Sequence, residues 1–524
     1  MPPTPCLPVT YLEENSSSRP AAVAVYDSGR EVTFAELEAR VKLVAAKLRA
    51  QDLASGDVVA VQLPNVWEYV VLELAIPYAG GVIMPLPPSL GEAELLQALT
   101  RSEASLLVTG PPERHSLVRA VAARTGGVRL TLEAEELCTT PTQPSPKGGG
   151  ETGQPSPLKG PPPPGEDKGG GADPNRIVEI ALTSGTTGLP KLASLSAGLK
   201  QATFEGFTRR LEVVPEDRVL IMSPVTQGIG GMCLYCLRLG AALVMLREPR
   251  FSPEHTLATA ASTRATLLVG VPTNVSRMLG CSALDRTDLS SCRATAVAGA
   301  PMPPEMAREW EERTGSRICI FYGSMDAGQL AVGSPSDAAE KRWHTVGRPH
   351  DSCELMICDA EGRPLPSGEV GEICMRGATV QERYWGEESG PHSADGWAHM
   401  GDLGFLDPDG YLHVVGRLKD IIIRGGSNVN PHEVEAVLRQ HPAISDVCLV
   451  GRPDPDLGER VVAFVVSRDD STPSLDELRK FLGERGLAKY KWPEYLELLD
   501  EIPVAGPGKV NRKELRERYA SALR

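Results

Sequence analysis

The chain has 524 residues, of which 41% are hydrophobic and 23% charged, and its 54 basic and 68 acidic side chains give a formal net charge of −14. This length exceeds what one hydrophobic core usually serves, so we predict more than one domain. The negative charge repels nucleic acid and anionic membranes, which we exclude as partners, and a polyanionic ligand therefore needs a local basic site.

Targeting signals and disulfides are not predicted. Residues 1–10 carry no Lys or Arg, and the uncharged stretch 74–90 is interrupted by Pro and Gly, so we expect neither a signal peptide nor a membrane span. Eleven scattered cysteines indicate reduced thiols in a cytoplasmic protein. Cys233 and Cys236 form the only C-x-x-C, without a second pair or a nearby His, and we predict that they are buried core residues rather than a metal or redox site.

The first elements along the chain alternate between helix and strand. Thr33 and Glu36 have the spacing of a capping box, and the apolar residues that follow repeat at helical spacing. Residues 58–63 then indicate a buried strand, 67–79 a helix and 82–86 another strand. This alternation predicts an α/β fold with a largely parallel sheet.

Residues 139–175 interrupt the pattern, because they contain ten Pro and nine Gly and no aromatic residue. Such a segment cannot build a core, and we predict a disordered Pro/Gly-rich insertion, with a partner-docking segment as the alternative. Strand signals then recur at 241–246, 266–271 and 317–321.

A second region begins near Lys419. Residues 420–424 indicate a strand there, and Asn430 followed by Pro431 indicates the start of a helix. We therefore divide the chain into an N-terminal domain, 1–418, and a small α+β domain, 419–524.

The strongest local motif follows the strand-like run Ile177–Leu182. A strand that feeds a loop of Gly and hydroxyl residues ending in Lys brings backbone N–H groups, hydroxyls and an ammonium to one small volume, which suits phosphate. The loop is not a Walker A motif, since Leu192 follows the Lys, and an ordinary Gly-rich turn is the alternative. Its residues are Thr183, Ser184, Gly185, Thr186, Thr187, Gly188, Leu189, Pro190 and Lys191.

Further motifs follow this loop. In chain order they are Tyr322-Gly323-Ser324-Met325-Asp326, Gly368-Glu369-Val370-Gly371-Glu372, Asp395-Gly396-Trp397, Gly401-Asp402, Gly416-Arg417-Leu418-Lys419-Asp420, Gly425-Gly426-Ser427-Asn428 and Gly508-Lys509-Val510-Asn511-Arg512. Together they resemble the adenylate-forming superfamily of acyl-CoA synthetases, carrier-loading adenylation domains and luciferases, and acyl- or aryl-CoA ligases most. The resemblance covers nearly the whole chain outside the insertion.

The resemblance implies a fold and a reaction. The fold is a large N-terminal domain of sheets flanked by helices, with a small β-barrel-like subdomain, and a small mobile C-terminal domain. The reaction joins a small-molecule carboxylic acid to AMP, releases pyrophosphate from ATP, and passes the acyl group to a thiol. Charge builds on phosphate oxygens, so catalysis rests on positioning and electrostatic stabilisation. ATP, Mg²⁺ and either CoA or the phosphopantetheine of a carrier protein are implied.

Site residues are also implied by the resemblance. Residues 183–191 would hold the β- and γ-phosphates, with Lys191 as a catalytic cation, and Lys509 would reach the α-phosphate and the substrate carboxylate. Asp402 would accept hydrogen bonds from the ribose hydroxyls with Arg417 close by. The adenine would lie between Tyr322, beside Gly323 and Ser324, and a second segment made of Gly299, Ala300 and Pro301.

Four other roles are implied in the same way. Asp326 would be the acidic residue associated with Mg²⁺, Lys419 the hinge, and Gly425 with Gly426 the face for CoA or pantetheine. Gln227 and Gly228, with Tyr322, would line the acyl pocket, which favours an aryl, cyclic or medium-length acid. Without the resemblance, Lys509 would be interpreted as a solvated surface lysine and Lys419 as a salt-bridged interdomain lysine.

The sequence departs from the superfamily pattern at Met325 and Met400, where hydroxyl residues are usual, and at Asp326, where Glu is usual. Three functions therefore stay open. The first is an acyl-CoA ligase, the second a free-standing enzyme that loads an acyl or aryl carrier protein, and the third a catalytically weak nucleotide-binding relative.

Overall fold

The structure is a computed structural model that describes residues 8–110, 128, 130–138, 173–183, 191–226, 228–247, 250–324, 328–393, 395–468, 471–505 and 509–521. The predicted insertion lies outside the described residues except for Asp173, Pro174 and Asn175. The chain forms two compact units. The first comprises 1–270, 282–293 and 378–391, and the second 271–281, 294–377 and 392–524.

Fourteen helices are described. They are α1 (Pro8–Ser18), α2 (Phe34–Ala50), α3 (Trp67–Ala79), α4 (Glu92–Ser102), α5 (Ala134–Cys138), α6 (Ala197–Arg210), α7 (Gly228–Met232), α8 (Pro253–Ser262), α9 (Pro272–Leu279), α10 (Pro304–Thr314), α11 (Ala339–His344), α12 (Pro431–Leu438), α13 (Leu475–Glu484) and α14 (Arg512–Ser521). Short 3₁₀ helices span Cys233–Leu239, Leu284–Arg286, Leu418–Asp420 and Lys489–Lys491. None of these described helices is both long enough and apolar enough to cross a membrane.

Strands β1 to β13 are, in chain order, Val23–Asp27, Arg30–Thr33, Val58–Gln62, Val82–Pro85, Leu106–Thr109, Leu130–Glu133, Ile177–Leu182, Leu192–Ser196, Arg218–Ile221, Ala242–Met245, Leu267–Gly270, Ala294–Val297 and Arg317–Ser324. Strands β14 to β26 are Gly328–Val332, Arg348–Pro349, Cys353–Cys358, Gly371–Gly377, Ala398–Leu406, Leu412–Arg417, Ile422–Arg424, Ser427–Val429, Ile444–Asp454, Gly458–Ser467, Tyr495–Leu499, Val504–Ala505 and Lys509–Val510.

The first unit confirms the predicted parallel α/β arrangement. One sheet has the order β6-β5-β3-β4-β7-β8 and is parallel except for the antiparallel pair β7 and β8. A second set pairs in the order β11-β9-β10-β1-β2. Helix α2 begins after the predicted N-cap, with the Glu36 amide donating to Thr33 Oγ1 at 3.2 Å, but the Glu36 carboxylate pairs with Arg30, so only one of the two hydrogen bonds of the predicted capping box is recorded. Helix α3 has the predicted bounds, and the predicted strands at 58–63 and 82–86 are β3 and β4.

The second unit contains three strand groups. Strands β12 and β13 are parallel, and β14 and β15 continue antiparallel beyond β13. Where the resemblance implies a small β-barrel-like subdomain, the described residues form an antiparallel sheet of order β16-β17-β18-β19. The predicted strand at 420–424 is shorter than expected, because Asp420 belongs to the 3₁₀ turn Leu418–Asp420 and the strand begins at Ile422.

The C-terminal part of the second unit has a core of its own. Strands pair in the order β21-β20-β23-β22, with β24 parallel to β23, and the apolar faces of α12 and α13 pack against them. Helix α12 starts at the predicted signal, since Asn430 Oδ1 accepts the amide hydrogen of His432 at 3.1 Å. The predicted boundary at 418/419 stays a prediction.

The thiols of Cys233 and Cys236 are fully buried in a 3₁₀ helix, as predicted for core residues. Burial raises the pKa of both groups well above the usual value for a thiol. Both are therefore neutral packing groups.

A buried lysine fixes helix α6 within the first unit. Lys200 Nζ donates to Glu73 at 2.7 Å and also contacts Glu179, and the hydroxyl of Tyr69 donates to Glu73 at 3.3 Å. Burial by itself lowers the pKa of Lys200, but the two carboxylates outweigh it and keep the ammonium charged. Removing one partner of a buried ion group costs more than the group contributes, because a charge is left unpaired.

We predict that Lys200→Met lowers the free energy of unfolding by about 3 kcal/mol, since two carboxylates are then left without their cation. Urea denaturation followed by tryptophan fluorescence measures this change. Lys42→Met is the control, because Lys42 pairs with Glu38 at the surface and its loss should change stability by at most about 0.5 kcal/mol. Equal effects of the two substitutions would contradict the assignment.

Candidate active site

The carboxylate of Asp402 has a partner at each of its two oxygens within the predicted site. Asp402 on β18 is the register partner of Arg417 on β19, and Arg417 Nε lies 3.1 Å from Asp402 Oδ1. The hydroxyl of Tyr322, at the end of β13, donates to Asp402 Oδ2 at 2.6 Å. A carboxylate offers about four lone-pair positions, so both oxygens retain capacity for further donors such as a vicinal diol.

Burial raises the pKa of Tyr322 well above its usual value, and the charge of Asp402 adds to the effect. The phenol therefore stays protonated and acts as a donor. Strands β12 and β13 are parallel neighbours, so Tyr322 and the segment of Gly299, Ala300 and Pro301, which follows β12, lie at the same edge of their sheet. Gly299 has φ +86°, a conformation that favours glycine. The structure thus brings both predicted adenine-flanking segments to one edge.

The predicted phosphate loop connects two antiparallel strands of the first unit. Strands β7 and β8 pair from Leu182 and Leu192 onwards, and the amide of Thr183 donates to the carbonyl of Lys191 at 2.9 Å. The loop residues Ser184, Gly185, Thr186, Thr187 and Gly188 lie outside the described residues. The described ends of the loop are therefore held close together by the hairpin.

The ammonium of Lys191 lies 4.2 Å from the centre of the Tyr384 ring. Tyr384 is buried, and an isolated bridge pairs its backbone with Ala193 on β8. A cation over the face of a buried aromatic ring is attracted by the ring quadrupole, which restricts its position without neutralising it. Within the described residues, the ring of Tyr384 thus positions the Lys191 cation at the end of the predicted phosphate loop.

The remaining pocket and metal residues are only partly described. Gln227 and Asp326 lie outside the described residues. Gly228 begins helix α7 with φ +44°. Ser324 is the register partner of Gly328, which closes the hairpin that contains Gly323.

The predicted hinge and thiol face lie at the start of the C-terminal part. Lys419 is exposed within the 3₁₀ turn Leu418–Asp420, directly after β19. Gly425 and Gly426 have φ +55° and +79° and form the two-residue turn between β20 and β21. Both conformations disfavour residues with a side chain, so the turn requires glycine.

Lys509 opens the two-residue strand β26, which pairs with β25 through Ala505 and Val504. The following helix α14 is anchored by Arg512. Its guanidinium makes two hydrogen bonds to buried Glu435, at 2.8 and 2.9 Å, and its Nε lies 3.6 Å from Asp420. The segment that carries Lys509 is therefore tied to the residue that follows the predicted hinge.

Two residues near the site were missed at the sequence level. Glu372 lies in one of the quoted motifs without an assigned role, and its Oε1 accepts the amide hydrogen of Gly401 at 3.2 Å, beside Asp402. Tyr384 belongs to no quoted motif, and its contact with Lys191 joins distant parts of the sequence. Only the order of the motifs could have pointed to Glu372, and no local pattern could have pointed to Tyr384.

The sequence is similar to known families and to individual proteins over nearly its whole length. The sequence profile described as AMP-binding enzyme matches residues 12–385, and the profile described as AMP-binding enzyme C-terminal domain matches residues 433–509. A feruloyl-CoA synthase from Amycolatopsis sp is 34% identical over 505 residues, which is 95% of this chain and 96% of that protein.

Solved structures give the same comparison. ATP-bound MatB from Rhodopseudomonas palustris superposes with a TM-score of 0.85 and 27% identity, covering 98% of this chain and all of that one. The o-succinylbenzoate CoA synthetase MenE from Bacillus subtilis, in complex with the acyl-adenylate intermediate OSB-AMP, has a TM-score of 0.79 and 27% identity over 97% of both chains.

The Glu435–Arg512 pair is expected to make the stability of the protein depend on pH. Burial raises the pKa of Glu435, but hydrogen bonds from His432 and Arg512 outweigh it and lower that pKa to about 2. Because this pKa is lower in the folded state than the ordinary value of 4.5, ionised Glu435 stabilises the fold at pH values above about 4.5. That stabilisation is lost as the pH falls towards 2. We therefore predict that acidification from pH 5 to pH 3 lowers the stability of the native protein by more than it lowers the stability of the Glu435→Gln variant. Unfolding midpoints of both proteins, determined at each pH, measure the difference.

At neutral pH Glu435→Gln should itself cost about 3 kcal/mol, because the Arg512 charge stays buried without its partner. Glu433→Gln is the matched control. Glu433 pairs with Lys491 at a half-exposed site, so its substitution should change neither the neutral stability nor the pH slope appreciably. An unchanged pH slope in Glu435→Gln would show that the pair does not carry the effect.

Proposed function

Because this chain belongs to the AMP-binding enzyme family, we propose that it is an ATP-dependent ligase that joins a carboxylic acid to CoA through an acyl-AMP intermediate. Pyrophosphate leaves in the first half-reaction and AMP in the second. The observation that carries the proposal is the arrangement of Tyr322, Asp402 and Arg417, in which a half-buried carboxylate is held by two donors.

This arrangement suits an adenosine. Asp402 keeps unused acceptor positions that can receive the two hydroxyls of a ribose, and the contact with Arg417 fixes the orientation of the carboxylate. Tyr322 and the segment 299–301 share one sheet edge, where an aromatic face and backbone groups can pack against adenine. Nucleotides commonly bind at the carboxyl ends of parallel strands in α/β sheets.

Adenylation needs the carboxylate to displace pyrophosphate from the α-phosphate, so the new anhydride bond forms as the bond to pyrophosphate breaks. The chain's task is to hold charged groups in position and to neutralise phosphate oxygens. Lys191 is proposed to meet the β- and γ-phosphates together with the loop 183–191, and Lys509 the α-phosphate and the acid. Mg²⁺, associated with Asp326, would supply further positive charge to the phosphates when bound.

Thioester formation is proposed at the face of Gly425 and Gly426, with Lys419 as the hinge. The turn has no side chains that would obstruct a narrow pantetheine arm, and the exposed residue Ile423 beside it offers apolar contact. We assign CoA rather than a carrier protein as the acceptor, because the relatives named above are a feruloyl-CoA synthase and a CoA synthetase.

The acid is proposed to be aryl, cyclic or medium in length. The aryl class is favoured because the feruloyl-CoA synthase is the relative that shares 34% of its residues with nearly the whole chain. Gln227 and Gly228 are proposed to line the acyl pocket with Tyr322.

We predict acid-dependent exchange of pyrophosphate into ATP for at least one hydroxycinnamic, benzoic or medium-chain acid, and thioester formation when CoA is added. Chromatography with mass detection identifies the thioester. A phosphopantetheinylated carrier protein without CoA is the comparison arm. Product on the carrier alone would replace CoA as the acceptor, and the absence of exchange with every acid would contradict the ligase proposal.

Lys509→Ala separates the two half-reactions. We predict that it lowers the rate of adenylation by at least about 100-fold, since a preorganised cation on the transferring group is lost, and that it spares thioester formation from supplied acyl-AMP and CoA. Lys513→Ala is the matched control, because Lys513 lies on the next helix with its side chain 84% exposed. Equal loss in both half-reactions of Lys509→Ala would contradict the assigned role.

A further inference from the structure

A cluster of four potential metal ligands lies on one face of the antiparallel sheet in the second unit. On neighbouring strands, Cys358 is the register partner of Glu372, and Cys374 is the register partner of His399. Glu372 and Cys374 are two residues apart on β17, so their side chains point to the same face. The strand register therefore gathers two thiols, an imidazole and a carboxylate.

The donor atoms of the cluster are close together. The two sulfur atoms of Cys358 and Cys374 are 3.0 Å apart, and His399 Nδ1 lies 3.5 Å from Cys374 Sγ and 2.9 Å from a carboxylate oxygen of Glu372. One donor atom from each of the four residues lies within 4.8 Å of all the others. Zn–S bonds of about 2.3 Å and Zn–N bonds of about 2.0 Å place tetrahedral donors roughly 3.3–3.8 Å apart, so small side-chain rotations suffice.

We propose that Cys358, Glu372, Cys374 and His399 bind one Zn²⁺ ion. Two thiolates with one imidazole and one carboxylate suit zinc better than magnesium or calcium, which prefer oxygen donors only. All four positions of a tetrahedron come from the protein, which is the pattern of a structural site rather than a catalytic one.

A second carboxylate supports the histidine. His399 Nε2 lies 3.6 Å from Asp395, whose Oδ1 accepts the amide hydrogen of Trp397 at 3.1 Å. The imidazole therefore turns Nδ1 towards the cluster and Nε2–H towards an acid. Histidine ligands of zinc are usually oriented by such a partner on the second nitrogen.

Buried thiols alone would be neutral, because burial raises the pKa of both Cys358 and Cys374. Binding of the ion converts both thiols to thiolates, which releases two protons to solvent, and Nδ1 of His399 gives up the hydrogen through which it contacts Glu372, so that its lone pair can bind the ion. The two thiolates and the Glu372 carboxylate together outweigh the charge of the ion by one. No oxidant or reductant takes part.

The site would order the strand that carries Asp402. Glu372 offers Oε2 to the cluster while its Oε1 accepts the Gly401 amide hydrogen. His399 and Gly401 both lie on β18, immediately before Asp402. An ion at this place therefore fixes β18 against β17 beside the ribose-binding carboxylate, but its binding does not depend on the ligase activity.

The test measures metal content and thiolate coordination. The full-length protein is reduced, freed of bound metal with a chelator, reloaded with ZnCl₂ and desalted. The zinc content per chain is then measured by inductively coupled plasma mass spectrometry. CoCl₂ is used as a second probe, because thiolate-to-cobalt charge-transfer bands and visible bands of tetrahedral Co²⁺ report the ligands. We expect one zinc per chain and both sets of cobalt bands.

Cys358→Ser and Cys374→Ser should each lose the ion and weaken the charge-transfer bands, and His399→Gln, which keeps both thiols, should lose tight binding as well. Cys292→Ser is the control, since its Sγ donates to the carbonyl of Ala265 and a hydroxyl can do the same. Circular dichroism of each variant verifies folding. Zinc retained in every variant, no stoichiometric zinc in the native protein, or a Cys358–Cys374 disulfide after desalting, seen as a loss of two hydrogen atoms in the protein mass, would each overturn the proposal.

Discussion

The candidate site depends on one carboxylate that two donors hold in place. Arg417 stands opposite Asp402 in the strand register and contacts one of its oxygens, and the hydroxyl of Tyr322, whose pKa burial raises, donates to the other. These two contacts join β13, β18 and β19, so the edge proposed to bind adenosine and the antiparallel sheet share a single carboxylate. The proposed nucleotide site rests on this shared group as well as on the motifs.

Binding of the phosphates of ATP is proposed to depend on individual cations, because the chain as a whole is acidic. The net charge of −14 opposes long-range attraction of a triphosphate, so binding requires cations placed at the site itself. Lys191 is positioned by an aromatic ring that does not neutralise it, whereas Lys200 in the same unit is fully engaged by two carboxylates and serves only stability. The difference in partners separates a cation available to a ligand from one that is not.

Sequence patterns predicted the features that are local. The N-cap at Thr33 and the bounds of α3 agree with the structure, and the family that the motifs indicated is confirmed by two matching profiles. The proximity of Asp402 and Arg417 was also expected, whereas the contact of Tyr322 with Asp402 was not. Contacts such as Lys191 with Tyr384 arise from pairing of distant segments, which no local periodicity encodes. The strand expected from 420 begins later because Asp420 turns inward to meet Arg512.

The anchoring of Arg512 has a mechanical consequence. Its guanidinium holds Glu435 on α12 and Asp420 at the end of the proposed pivot, and Arg516 reaches the same aspartate at 3.3 Å. The turn that contains the proposed hinge and the segment that begins at Lys509 are therefore joined by these ion pairs. A change of torsion at the proposed hinge residue Lys419 would therefore move Lys509 together with α12 and α14, because the ion pairs of Arg512 and Arg516 join these elements to Asp420.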